Sequence, residues 1–129
     1  MMAHTSAARA GVANFTKSSA LAWSPFGIRI NSVAPGVIKS SGLKNYPPPV
    51  IQMLRDMKNN IPAQRLGTES EVSAAVVFLL SPAAAYITGE TLKVDGASSL
   101  YRQLMPIPPH AGMASWDGLH LECDLPPDL

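Results

Sequence analysis

The 129-residue chain carries ten basic and nine acidic groups for a net charge of +1, with 47% hydrophobic residues and one cysteine. That balance excludes a disordered polyelectrolyte and a strongly basic nucleic-acid binder. Cys123 has no second cysteine to pair with, so a disulfide-stapled scaffold is excluded too. No apolar run reaches the roughly 20 residues of a membrane-crossing helix. One ordinary domain remains, its core thinned by 17 alanines.

From Thr5 to about Ser24 the chain reads as a helix. Ala8, Val12, Phe15, Ser19 and Ala22 recur at steps of three and four and trace one face. Ala7, Ala8, Ala10 and Gly11 keep that region small enough for a close approach to another helix or subunit. Pro25 and Gly27 end it. Residues 28–34 alternate as a strand and stop at Pro35-Gly36, a strong turn signal. Residues 37–48 read as a Ser-, Gly- and Pro-rich loop. A short helix follows from Val50 to Asn60, with Val50, Met53, Leu54 and Met57 on one side. A Met-rich helix behind such a loop suits a lid over an apolar substrate as well as it suits plain core packing.

Thr68-Glu69-Ser70-Glu71 is a capping box: the threonine oxygen accepts from a free N–H while the glutamate reaches back. It opens a helix to Leu80 that is apolar almost throughout, and such a helix is expected to be buried on more than one side. Ser81-Pro82 ends it. Residues 91–95 form a short strand with Leu92 and Val94 inward and Lys93 outward, followed by a turn at Asp95-Gly96. Residues 102–129, with five prolines and no periodicity, read as an irregular extension. Strands separated by helical segments imply an α/β architecture with parallel pairing. Two strands alone make no stable parallel sheet.

Charge is unevenly spread. Residues 1–55 hold six basic groups and no acid, while all nine acids lie in 56–129. An acid-poor start with Ser and Arg can mimic a mitochondrial transit peptide, and a basic half can equally line a site for a phosphorylated ligand. The same residues also belong to a series of motifs. Ala7-Ala8-Arg9-Ala10-Gly11-Val12, Asn14-Phe15-Thr16-Lys17, residues 27–36, Arg65-Leu66-Gly67-Thr68, Ile87-Thr88-Gly89 and Val94-Asp95-Gly96 occur in order. In that order and spacing, over roughly residues 4–101, the chain resembles the C-terminal half of a short-chain dehydrogenase/reductase. It is most similar to the branch of trans-2-enoyl-CoA reductase, with citronellol dehydrogenase-like proteins and 2,4-dienoyl-CoA reductases close by.

The resemblance implies a Rossmann-type doubly wound parallel sheet and a nicotinamide cofactor, NADP or NAD. It places Pro35, Gly36 and Ile38 beside the nicotinamide, the Ile38 backbone bonding the carboxamide and the Ser40 hydroxyl assisting. A Pro-Gly turn after a strand would let backbone approach a ligand at the carboxyl end of the sheet. Asn31 is expected to bond neighbouring backbone. The family's Tyr and Lys, one helical turn apart, fall at Thr5 and Arg9. Arg9 can bond a ribose but is a fixed charge that relays no proton, and Thr5 is too weak an acid to replace a phenol. A second frame pairs Ala13 with Lys17, which reads better as an exposed helix cation. Tyr46 is the proton donor candidate within the chain, and Tyr86 and Tyr101 read as packing residues.

The family's glycine-rich phosphate loop, its Asn-Asn-Ala-Gly segment and its central Ser are not in the sequence. They would precede Met1, so the N-terminal strands are expected to be missing. On this reading residues 1–101 are a partial cofactor-binding domain and 102–129 an extension. The complete protein would be an oxidoreductase reducing an enoyl-CoA or a similar apolar carbonyl or conjugated substrate as a homo-oligomer. The isolated chain would be inactive. A rival reading is a truncated, non-catalytic oligomerisation or interaction module. In the tail, His110, Trp116, His120 and Cys123 match no zinc or haem spacing, so no metal is expected. Asp117, Glu122, Asp124 and Asp128 read as solvated charges. The final Pro127-Asp128-Leu129 is not a peroxisomal address. The resembled branches do not settle the compartment; an intracellular, cytoplasmic protein is expected, with peroxisome and mitochondrion as the alternatives.

Overall fold

The computed structural model describes residues 3–101, 106–116 and 118. It is α/β, and it divides into two compact units, residues 1–34 with 75–93 and residues 35–74 with 94–129.

The first unit begins with helix α1, Ala3–Trp23. The helix ends as its sequence dictates: Ser24–Phe26 tightens into a turn, and Gly27 takes a φ of +70° that few side chains accept. Its buried stripe is Thr16, Ser19 and Ala20; of the predicted face Ser19 is buried, and Ala8, Val12, Phe15 and Ala22 are not. Small size decides this. Ala20 comes close enough to Gly89 that a Cβ there would touch it at 3.4 Å, whereas Phe15 stays 64% exposed. The Thr16 hydroxyl is satisfied inside the helix by donating to the Val12 carbonyl at 2.9 Å.

Strand β1 (Ser32–Pro35) pairs with β4 (Thr91–Val94). Ser32 N–H donates to Glu90 at 2.9 Å and Gly89 N–H to Ile30 at 2.7 Å. Before β1 the predicted strand residues 28–31 are held by side chains instead of a regular ladder. Asn31 donates to the Ile87 carbonyl at 2.9 Å and accepts from Glu90 N–H at 3.0 Å, which is the backbone role expected of it. In β4, Lys93 points out while Leu92 and Val94 are half-buried, as the alternation predicts.

Helix α3 (Glu69–Leu80) runs from the second unit into the first. Its end is closed by Arg29, whose guanidinium donates to the carbonyls of Leu79, Ser81 and Ile87 at 2.8–3.3 Å. A cation against the last carbonyls of a helix satisfies groups that have no partner within it and opposes the negative end of its dipole. The expectation of burial on several sides fails for the last turns. Leu79 is buried, but Val76, Val77, Phe78 and Leu80 are exposed.

In the second unit the predicted 37–48 loop holds structure. β2 (Ile38–Lys39) pairs in parallel with β3 (Gly67–Thr68), Ile38 opposite Gly67 and Lys39 opposite Thr68. Residues Ser41–Asn45 form a single tight turn that buries Leu43. Helix α2 spans Pro48–Met57, with proline tolerated in its first turn. Leu43, Leu54, Ile61, Ala63 and Leu66 make the core, with Val37 and Ile51 packed on it. Burying a side chain such as Leu54 is worth roughly 1.5–3 kcal/mol. The two methionines of the predicted α2 face, Met53 and Met57, are exposed instead.

Candidate functional site

The candidate site is built on the β2 edge. Gly67 N–H donates to the carbonyl of Val37 at 3.0 Å, and Ile38 is the bridge partner of Gly67. In a parallel ladder successive peptide groups turn to opposite sides, so the N–H and C=O of Ile38 itself face away from β3. The Ile38 side chain lies over Gly67, where an added Cβ would sit 2.7 Å from its tip. Glycine at 67 is what lets isoleucine lie flat there, fixing the peptide that follows. Ser40 comes next, extended, at the start of the Ser41–Asn45 turn. Its carbonyl accepts from Leu43 N–H at 3.0 Å, and its hydroxyl bonds to no other described residue.

Pro35 is exposed and Gly36 half-buried. The reason for glycine at 36 is not room for a ligand. An added Cβ would lie 2.8 Å from the Cα of Asp95 and 3.3 Å from its carbonyl oxygen. Gly36 N–H donates to Val94 at 2.9 Å, so two backbones meet here without space for a side chain. The Asp95 carboxylate meanwhile accepts from Ala97 N–H at 3.0 Å and Ser99 N–H at 3.1 Å and shapes the turn after β4.

β3 is fastened from below by an ion pair and a cap. Thr68 N–H donates to Glu71 at 2.9 Å and Glu71 N–H donates to the Thr68 hydroxyl oxygen at 3.2 Å, both halves of the predicted capping box. Arg65 grips the same carboxylate with two bonds, 2.6 and 2.9 Å. Its remaining N–H groups go to the carbonyls of Leu66, Met113 and Ala114, so all five guanidinium donors are used. Burial pushes the Glu71 carboxyl up, but Arg65, the Thr68 N–H and the Trp116 N–H outweigh it and hold Glu71 below the usual carboxylate range. Arg65 has no local signal that marks this role. Two of its partners are main-chain carbonyls 48 and 49 residues away.

The other candidates scatter. Thr5 and Arg9 lie on α1 in the first unit, with Arg9 exposed, while Pro35, Gly36, Ile38 and Ser40 belong to the second. Lys17 is the exposed cation predicted for it, and Tyr46 is exposed. Tyr86 is wholly exposed, not a packing residue; Tyr101 is half-buried. The first unit holds a cavity of about 390 Å³ lined chiefly by Ile30, Val33, Val76, Leu79 and Leu80. None of the predicted site residues lines it, and its polar members Arg29 and Asn31 are committed to backbone. His120, Cys123 and the acids Asp117, Glu122, Asp124 and Asp128 lie outside the described residues. Among the described residues no helix is long and apolar enough to cross a membrane.

Residues 1–98 match the family profile described as enoyl-(acyl carrier protein) reductase. The chain belongs to the short-chain dehydrogenase/reductase family. It is 47% identical over 95 residues to the 3-oxoacyl-(acyl-carrier-protein) reductase FabG of Vibrio harveyi, covering 70% of this chain and 36% of that protein. Over 97 residues it is 41% identical to the peroxisomal 2,4-dienoyl-CoA reductase of Mus musculus, covering 74% and 32%. A solved Escherichia coli K-12 structure assigned as an oxidoreductase superposes with a TM-score of 0.63 at 33% identity, over 78% of this chain and 36% of that one. This short-chain dehydrogenase/reductase chain therefore spans about a third of the length of the relatives it matches.

Within the short-chain dehydrogenase/reductase chain, the motif residues now have physical reasons. Arg65 and Thr68 tie the start of α3, Gly67 admits Ile38, and Gly36 admits Asp95. These roles are architectural, and the register they share at Gly67 leaves the Ile38 peptide facing away from β3.

Proposed function

We propose that this chain supplies the nicotinamide-facing β2 edge of an oxidoreductase that uses NADPH or NADH. The substrate would be the conjugated or carbonyl group of an acyl-CoA, an acyl-carrier-protein thioester or a similar apolar molecule. The carrying observation is the β2 edge: an Ile38 peptide turned away from β3, with the Ser40 hydroxyl, which bonds to no other described residue, two residues on. One acceptor, one donor and a hydroxyl in a row suit a planar carboxamide, which itself offers both a carbonyl and an NH₂. When bound, the dihydronicotinamide supplies a hydride. The chain's own part is to hold and orient the ring, with Ile38 bonding the carboxamide and Ser40 completing the contact. Pro35 and Gly36 position that edge through β4. The relatives' names, a 3-oxoacyl reductase and a 2,4-dienoyl-CoA reductase, support the substrate class.

Arg9 serves in this reading as a ribose-binding cation, since its charge is fixed and it relays no proton. Met53 and Met57, exposed on α2, offer adaptable apolar surface for the acyl part. We further propose that residues 1–101 carry the family's domain and 102–129 an extension, with the reaction in the cytoplasm. The test is the amide spectrum of the full chain titrated with reduced nicotinamide mononucleotide. Shifts confined to Ile38, Lys39 and Ser40 at millimolar ligand are expected, and they should fade in Ser40→Ala. Absence of any shift at these amides overturns the reading.

A second reading rests on a separate observation. Phe15, Leu21, Val77 and Leu80 are large, apolar and exposed in the first unit. Such surface favours association with another copy and fits an interaction module without catalysis. Sedimentation that shows a monomer at high concentration would count against it.

A further inference from the structure

Residues 106–116 carry no regular secondary structure, yet they are stitched along residues 62–71 of the same unit. Met113 N–H donates to Ala63 at 3.0 Å, Gln64 donates to the Pro108 carbonyl at 3.4 Å, and the Thr68 hydroxyl donates to the Trp116 carbonyl at 2.6 Å. Arg65 holds Met113 and Ala114 from the other side at 2.7 Å each. The segment is a strap, and all but one of these fastenings are groups whose charge is constant near neutral pH.

The exception is His110. One ring nitrogen, Nε2, lies 2.9 Å from the carbonyl oxygen of Pro62. A carbonyl only accepts, so Nε2 carries the proton. The other nitrogen, Nδ1, accepts from Gly112 N–H at 3.0 Å, so it carries none. Both contacts together define one species, the neutral imidazole protonated on Nε2. Gly112 reaches this position with a φ of +83°, and an added Cβ there would meet the carbonyls of Ala63 and Gln64 at 3.5 and 3.6 Å. The bend therefore rests on residues 63 and 64 at ordinary contact distance, in a backbone conformation that glycine accepts.

We infer that His110 is a pH-operated latch on this strap. A proton taken from solvent at Nδ1 converts the acceptor into a second donor, which then confronts the Gly112 N–H. The Gly112 bond breaks, and the strap loosens between Pro108 and Met113, freeing the carbonyl of Ala63, while Nε2–H keeps its bond to Pro62. Among the described residues no other titratable side chain takes over the role. Residues 61–64 beneath the ring have none. Arg65 and Glu71 are paired with each other, and Asp95 is engaged with Ala97 and Ser99. Trp116 is anchored separately through Thr68 and stays in place. The inference stands on the strap alone and does not depend on the oxidoreductase reading.

The test is residue-resolved amide exchange on the full chain at about pH 7.5 and about pH 5.5, on either side of the imidazole range, corrected for intrinsic rates. Protection at Gly112 and Met113 is expected to fall roughly tenfold at the lower pH, the loss of one hydrogen bond. Gly67 and Thr68 amides should keep theirs. His110→Asn retains an acceptor that does not titrate and should abolish the pH response. In the unaltered chain, ring-nitrogen shifts should show the Nε2–H tautomer at the higher pH. Equal protection at both pH values overturns the latch, as does loosening of Gly67 in step with the strap. An undiminished response in His110→Asn or an Nδ1–H tautomer overturns it as well.

Discussion

Replacing Glu71 by alanine removes the hub that joins β3, α3 and the strap. The carboxylate accepts twice from Arg65 and once from Thr68 N–H, and Arg65 in turn holds the strap at Met113 and Ala114. The capping half of this is worth roughly 0.5–2 kcal/mol. The charge-assisted bonds to Arg65 add roughly 1.5–3 kcal/mol, because both side chains are mostly covered and the guanidinium is left with two idle donors. Allowing for partial exposure, the expected loss is about 3 kcal/mol. Urea unfolding followed by Trp116 fluorescence in a Trp23→Phe background reads the second unit alone. With an m-value of about 2 kcal/mol per M, the midpoint should fall by about 1.5 M. The pH dependence has a fixed sign. Because the folded carboxyl titrates below the ordinary value of 4.5, its stabilisation is complete above that value and disappears as the pH falls through the lower folded one. Glu71→Ala should flatten that acid limb. A midpoint change under about 0.3 M, or an acid limb identical to that of the unaltered chain, refutes the assignment.

Further outcomes follow from the same contacts. Gly36→Ala drives a Cβ to 2.8 Å from the Asp95 backbone and should cost about 2 kcal/mol, seen as a lower urea midpoint, with no cofactor present. Arg29→Ala leaves the end of α3 uncapped and should cost about 1–3 kcal/mol, with amide protection lost first at Ser81 and the last turn of α3. Ser40→Ala should weaken the nicotinamide-induced shift at Ile38 without changing the unfolding midpoint, since its hydroxyl bonds to no described residue.

Local signals in the sequence were the ones that proved readable. The Thr68–Glu71 box needs four adjacent residues, and both of its bonds are present. The Pro25–Gly27 stop and the Leu92–Lys93–Val94 alternation are equally local. What sequence concealed were partnerships across long separations. Arg29 finds its carbonyls 50 to 58 residues away and Arg65 finds two of its own 48 and 49 residues away, and a main-chain acceptor has no residue type to search for. The face of α1 was misjudged, Ser19 apart, because hydrophobicity was weighed above size; Thr16 and Ala20 fit where Phe15 does not. β2 and β3 escaped notice because two residues each are too few to show a period. At the candidate site, Pro35-Gly36 and Ile38 stood out in sequence, while the function of Gly67 in seating Ile38 emerged only from their register.

The contact at Gly36 bears on how inheritance should be read at this motif. The obstacle there is the Cα of Asp95, an atom every residue possesses, so no exchange at position 95 could make room for a side chain at 36. Selection acting on folding alone is enough to keep that glycine, even in a descendant that has lost its chemistry. Retention of Ile38's neighbour Ser40 is the more telling record, because its hydroxyl bonds to no other described residue and drift would erase it once the ligand was gone.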